Sequence, residues 1–188
     1  GLISGAIKTL SEGGQTAVYI DAGNAAWHPP EIMADRLKRA GVAQARGFAL
    51  NVSSYMGTEE SVAYGVAISE LIGDKPFVID TSRNGNGPTK TFQWCNLRNR
   101  AVGVPPLTPP SDPRVDAYLW VKVPGESDGE CGGGPRAGAW WPELAIELAQ
   151  NASWVQEATG LPPPPQVEPE PEPEVPASSV TPSPGGRR

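Results

Sequence analysis

Three carboxylates, an ammonium group and a cysteine crowd into one short stretch of this 188-residue chain, residues 117–131. Tyr118, Leu119, Trp120, Val121 and Val123 are strand formers, and Lys122 is the one charge among them. Pro124-Gly125 ends the strand, because proline lacks a ladder N–H and glycine permits a sharp turn. Glu126 and Asp128 follow at once, with Gly129 and Cys131 behind them. A cation near a strand end, two acids on a tight loop and a cysteine to pin that loop are the parts a catalytic rim needs, and the other strand ends must supply the rest. A carboxylate beside Lys or Arg stays ionised and suits a base, whereas one screened from water suits an acid. Next to Lys122, Asp128 or Glu126 therefore reads as a base.

The elements that must hold this rim are short strands alternating with helices. Residues 17–22 form an apolar strand ending in Asp21. Pro29-Pro30 introduces a helix over 31–40 with Ile32, Met33 and Leu37 on one face, stopped by Gly41. Residues 47–52 are a second strand, and Thr58 is placed to cap a helix running to about Ile72. Residues 76–80 are a third strand, followed by a loop rich in Gly, Pro, Asn and Thr that carries Arg83, Trp94 and Cys95. The strand of residues 117–123 is the fourth, and a final helix is expected from Glu143 to about Glu157. The alternation predicts an α/β fold with a parallel sheet, half of a barrel or a small open sheet. Either way the functional face lies at the C-terminal strand ends. Asp21, Asn51, Asp80 and the Lys122/Glu126/Asp128 group all sit there, and Trp27, Trp94, Trp120, Trp140 and Trp141 sit in or beside the same loops. Trp27 and Trp94 lie in polar stretches where a flat apolar face suits stacking on a sugar ring.

Other chemistries find little support. The formal net charge of −6 leaves no basic footprint for nucleic acid, and no apolar run is long enough for a membrane span. One histidine, His28, and two distant cysteines make a poor metal set, so no metal and no cofactor is expected. Asn84-Gly-Asn-Gly87 lacks the Gly-Lys-Ser/Thr ending of a phosphate loop. No Gly-x-Ser-x-Gly accompanies the single histidine. Cys95 and Cys131 suit one disulfide in an exported protein, or two free thiols in a cytosolic one. Asn51-Val-Ser53 and Asn151-Ala-Ser153 match the glycosylation sequon. Ten of the 22 prolines lie beyond residue 160, interleaved with four glutamates, which makes that tail an extended spacer. The N-terminus has neither an initiator methionine nor a signal pattern, and reads as a helix entered midway, as in a fragment.

Val18-Tyr-Ile-Asp-Ala-Gly23, Asn51-Val-Ser53, Val78-Ile-Asp-Thr-Ser-Arg-Asn-Gly85, Trp94-Cys95 and Leu119-Trp-Val-Lys-Val-Pro-Gly-Glu-Ser-Asp-Gly129 together resemble the C-terminal half of glycoside hydrolase family 6. The resemblance covers roughly residues 1–158, and the tail, 159–188, resembles the linker that joins such domains to a cellulose-binding module. It implies part of a distorted β/α barrel without its N-terminal half, in a secreted, extracellular enzyme that cleaves β-1,4-glucan with inversion. Inversion needs an acid on the leaving oxygen and a base that activates water from the opposite face. By resemblance, Asp128 matches the family's proposed base, directly or through a water relay. Lys122 and Glu126 match sugar-binding positions, Arg83 an arginine supporting the acidic cluster, and Asp21 a strand-end acid of the site. Trp27 and Trp94 match stacking platforms, and Cys95 with Cys131 a disulfide. Asn24 stands where the family usually has His, and Ser54 where it usually has Asn, which implies altered sugar contacts. No segment matches the family's general acid, so the chain alone is expected not to hydrolyse its substrate. A non-catalytic, carbohydrate-binding remnant is the alternative.

Overall fold

A computed structural model describes residues 1–90, 93–106, 108, 110–160 and 162–166. Its centre is an all-parallel sheet in the order β1 (Tyr19–Asp21), β2 (Gly47–Leu50), β3 (Phe77–Asp80), β4 (Val115–Leu119). Helix α1 (Leu2–Ser11) precedes the sheet, and α2 (Pro30–Ala40) and α3 (Thr58–Leu71) make the first two crossovers. Such crossovers cover the sheet face, so the strands read as continuous apolar runs. Phe48, Leu50, Phe77 and Ile79 are fully enclosed by Leu37, Met33, Tyr64 and Ile68 from the helices. Phe48 and Phe77 stack across the β2–β3 pair with centroids 5.2 Å apart. Gly65 makes the close approach of α3 possible, since a Cβ there would meet the Phe77 ring at 2.3 Å.

The sheet curls. Tyr19 on β1 donates its hydroxyl to Asp116 on β4 at 2.6 Å, although two strands lie between them. Three interstrand spacings on a flat sheet would set those strands about 14 Å apart. Curvature of this kind begins a barrel.

The structure changes four sequence expectations. The fourth strand starts at Val115 and ends at Leu119, so Trp120, Val121, Lys122 and Val123 lie beyond it. The last ladder bond runs from Thr81 N–H to Leu119 C=O, after which the chain turns over the strand tips. The final helix is two, α4 (Pro142–Gln150) and α5 (Ser153–Thr159). The break falls at Asn151, whose side chain donates to the Arg100 carbonyl at 3.0 Å, and at Ala152, which is extended. Thr58 does not cap α3; Gly57 occupies that position, and the Thr58 hydroxyl accepts from Asn84. Ile32 is exposed, the buried face of α2 being Met33, Ala34 and Leu37. Among the described residues no helix is long and apolar enough to cross a membrane. The tail expected to be a linker lies largely outside the described residues.

Candidate active site

Three loops leave the C-terminal ends of β2, β3 and β4, and one buried carboxylate ties them together. Asp80 closes β3 and accepts the backbone N–H groups of Ser53 (3.0 Å), Ser82 (2.8 Å) and Lys122 (3.1 Å). Asn51, fully buried with φ +64°, donates to the Met56 and Asp80 carbonyls and accepts from Met56 N–H. A left-handed asparagine suits this turn because its amide replaces the missing backbone partners. Asp80 is thus a structural bracket, not a free acid.

On that bracket stands an ion cluster. Arg83 donates to Asp128 Oδ2 at 2.6 Å, and Lys122 lies 3.3 Å from Asp128 Oδ1 and 3.6 Å from Glu126. The Arg83 and Asp128 side chains are 4% and 7% exposed. Arg83 also donates to the carbonyls of Ser53 and Trp94, and its guanidinium sits 4.4 Å from the Tyr55 ring centroid. Burial pushes the Tyr55 phenol up to about 12, with Arg83 opposing the shift and Asp128 adding to it. The Tyr55 hydroxyl accepts Leu97 N–H at 3.2 Å. The Asp128 carboxylate is thus bridged by a guanidinium on one oxygen and an ammonium on the other. Among the described residues no group of His, Cys, Asp and Glu could hold a metal ion.

Beside this cluster runs an open cavity of about 350 Å³ between two tryptophans. Trp27 and Trp94 are 65% and 66% exposed, and Asn24, Ser54 and Tyr55 share the lining. Asn24 donates to the Ser54 hydroxyl at 3.2 Å, so the two positions that depart from the family pattern contact each other. Gly23, at φ +67°, fixes Trp27, since a Cβ there would meet the indole at 2.5 Å. Arg83 links the cavity to the ion cluster through the Ser53 and Trp94 carbonyls. Two exposed indoles flanking polar groups can hold a sugar chain by its flat faces. Asp21 is not brought into the ion cluster. It is exposed on β1, accepts Gly23 N–H at 2.9 Å, and lines a separate cavity of about 310 Å³ with Trp27 and His28. Of the other tryptophans, Trp120 and Trp141 pack against the buried cluster of Leu144 and Leu148, and Trp140 is exposed.

Cys95 and Cys131 are disulfide-bonded, with Cα atoms 6.2 Å apart. Both sequon asparagines are buried and structural, which argues against a glycan at either in the folded protein. Sequence reasoning missed Asn96. Its φ is +47°, and an asparagine in a Gly/Pro-rich loop next to a cysteine was the available signal. It missed Tyr55 as well, which no pattern distinguishes from a core residue.

The family described as glycosyl hydrolases family 6 matches residues 1–152. "Endoglucanase A" of Cellulomonas fimi is 51% identical over 154 residues, covering 82% of this chain and 34% of the relative. "Endoglucanase 1" of Streptomyces halstedii is 46% identical over 140 residues, covering 71% of this chain and 42% of the relative. The solved endoglucanase Cel6 from Mycobacterium tuberculosis, in complex with a thio-linked cellobioside derivative, superposes with a TM-score of 0.77 at 50% identity. That match covers 80% of this chain and 52% of the solved one. The chain spans about a third to a half of the length of these relatives.

Proposed function

The chain belongs to glycosyl hydrolases family 6, and from that premise we propose that the whole protein hydrolyses β-1,4-glucosidic bonds in cellulose or a related β-glucan with inversion. Its four-stranded sheet is part of the distorted TIM-like barrel of these cellulase domains. The observation that carries the proposal is the juxtaposition of a buried Arg83–Asp128–Lys122 cluster with a cavity walled by Trp27 and Trp94. In this reading Asp128 is the base that activates water, directly or through a relay. Lys122 and Glu126 bind sugar hydroxyls beside it, and Arg83 fixes the base. Trp27 and Trp94 stack on glucose rings, with Asn24 and Ser54 contacting the sugar between them. Asp21 contributes a strand-end acid from the neighbouring cavity. No acid among the described residues is assigned to protonating the leaving oxygen, and the 188-residue chain alone is expected to release no sugar.

The disulfide supports export to an oxidising, extracellular setting. Residues 159–188 are proposed as a linker toward a cellulose-binding module. The test of the catalytic reading is proton NMR of the first product released from a soluble cello-oligosaccharide by the whole protein. Initial accumulation of the α-anomer supports inversion, and a β-anomer overturns it. Asp128 does not itself line the tryptophan cavity, which favours a second reading, in which the protein holds glucan without cleaving it. A cellulose pull-down with no reducing sugar released by the whole protein would establish that reading instead.

A further inference from the structure

One side chain, that of Asn96, touches the loop that carries Asp128 at several points. Asn96 N–H donates to Asp128 Oδ2 at 2.9 Å, and Asp128 N–H donates back to Asn96 Oδ1 at 2.7 Å. The Asn96 amide nitrogen is directed at Ser127 Oγ (3.1 Å), the Gly129 carbonyl (2.7 Å) and the Cys131 carbonyl (3.0 Å). One fully enclosed side chain therefore engages the chain on both sides of Asp128 and the Asp128 N–H, while the backbone N–H of the same residue reaches the carboxylate. Its left-handed backbone, φ +47°, lets the N–H and the side-chain oxygen face the same residue. Gly134 closes the pocket, because a Cβ there would meet the Asn96 amide nitrogen at 2.4 Å. The disulfide joins Cys95, next to Asn96, to Cys131, whose carbonyl Asn96 contacts.

We propose that Asn96 is a positioning residue for the reaction, holding the Asp128 carboxylate at the angle and depth from which it serves the attacking water. The proposal deepens the reading of Asp128 as the base and rests on it. Asn96 acts through Asp128 and need not touch the sugar. Arg83 and Lys122 neutralise the carboxylate, with Glu126 behind Lys122. Arg83 donates one directional bond to Oδ2, whereas Lys122, a compact charge, attracts Oδ1 from any side, and neither contacts the backbone that carries the side chain. Asn96 adds a directional bond from its own N–H to Oδ2, and its Oδ1 holds the Asp128 N–H, so the backbone from which the carboxylate projects is set in one orientation.

The test uses the whole enzyme on a soluble cello-oligosaccharide, with kcat, KM, the pH profile of kcat/KM and Tm measured for each variant. Asn96→Gly keeps the left-handed backbone and its N–H but removes the amide. It is expected to lower kcat about 10- to 100-fold with KM within about threefold, since a misplacement of about 1 Å can cost that much. Asn96→Asp keeps the shape but adds a like charge beside Asp128, which disfavours its ionised form. The acid limb of kcat/KM is expected to move to higher pH, a change that loss of packing would not produce. In an Asp128→Ala background, Asn96→Gly is expected to leave the residual rate unchanged, because its target is gone. Wild-type kcat and acid limb in both Asn96 variants, with Asp128→Ala severely impaired, overturns the positioning role and leaves the base reading intact. A further drop in the double variant, equal to that in Asn96→Gly alone, also overturns it. Near-normal turnover in Asp128→Ala removes the base reading itself.

Discussion

The curled sheet carries an arginine–aspartate pair at each end, and the two could hardly be used more differently. At the N-terminal ends, Arg46 grips Asp116 through Nε at 2.9 Å and Nη2 at 2.7 Å, while Tyr19 donates to the same carboxylate. The Arg46 side chain is 55% exposed, so water screens the pair and shares its hydrogen bonds. At the C-terminal ends, Arg83 meets Asp128 through one nitrogen in an almost dry setting, with Tyr55 stacked on the guanidinium. A buried pair gains little net stability, because desolvation offsets the attraction. The lower pair braces β1 against β4; the upper one is kept where stability gives small reason to keep it. That contrast, more than the residue types, is what supports the proposal that the functional face lies at the C-terminal strand ends.

The contrast can be broken in four places. Asp128→Ala should lower turnover of the whole enzyme about 10²- to 10⁴-fold, the usual worth of a positioned base, with substrate affinity largely retained. Near-normal kcat would reduce the upper pair to a brace like the lower one. Arg83→Ala removes one of the two cations on a buried carboxylate and the donor to the Ser53 and Trp94 carbonyls, and should destabilise the fold by about 3 kcal/mol in urea titration. A loss no larger than that of an exposed pair would mean that the guanidinium is not desolvated. Tyr55→Phe leaves Leu97 N–H without its acceptor and should cost about 1–3 kcal/mol. The wild-type phenol, pushed up to about 12, favours the fold fully below about pH 10 and loses that contribution as pH rises through 12. The Phe variant should lack this alkaline loss, which thermal melts between pH 8 and 12 would reveal. Arg46→Ala should have the smallest effect, a Tm decrease of about 2 °C at neutral pH. Hydrogen bonding to Arg46 holds the Asp116 carboxyl below its ordinary value. Its contribution is therefore full above about pH 4 and lost as pH falls through the lower folded value, so the variant and the wild type should converge in acid. A larger loss for Arg46→Ala than for Arg83→Ala would invert the comparison.

Much of this was legible from residue order. Strands ending in Asp80 or followed by Lys122 announce a polar rim, because β–α alternation leaves only the C-terminal tips free for function. The motif around Asp128 named the family before any coordinate did. What escaped was whatever depends on reach across the fold. Asp80 reads as a candidate acid until three backbone N–H groups are seen converging on it. Asp21 shares the strand-end position but faces another cavity, since β1 lies three strands away from β4. The sequence pattern runs the fourth strand too far because Trp120, Val121 and Val123 have strand-forming side chains, yet the backbone there turns toward Asp80. A helix pattern ran through Asn151 for the same reason: periodicity registers side-chain types, not the carbonyl of Arg100 waiting for an amide.

The two enclosed sequon asparagines have a practical corollary. An oligosaccharyltransferase acts on a nascent chain before Asn51 and Asn151 find their carbonyls. In a yeast or mammalian expression host, a sugar tree attached at either would arrest folding, and the product would be secreted poorly or not at all. Ser53→Gly, which suits the left-handed backbone there, and Ser153→Ala at the start of α5 would erase both signals while sparing every hydrogen bond named above.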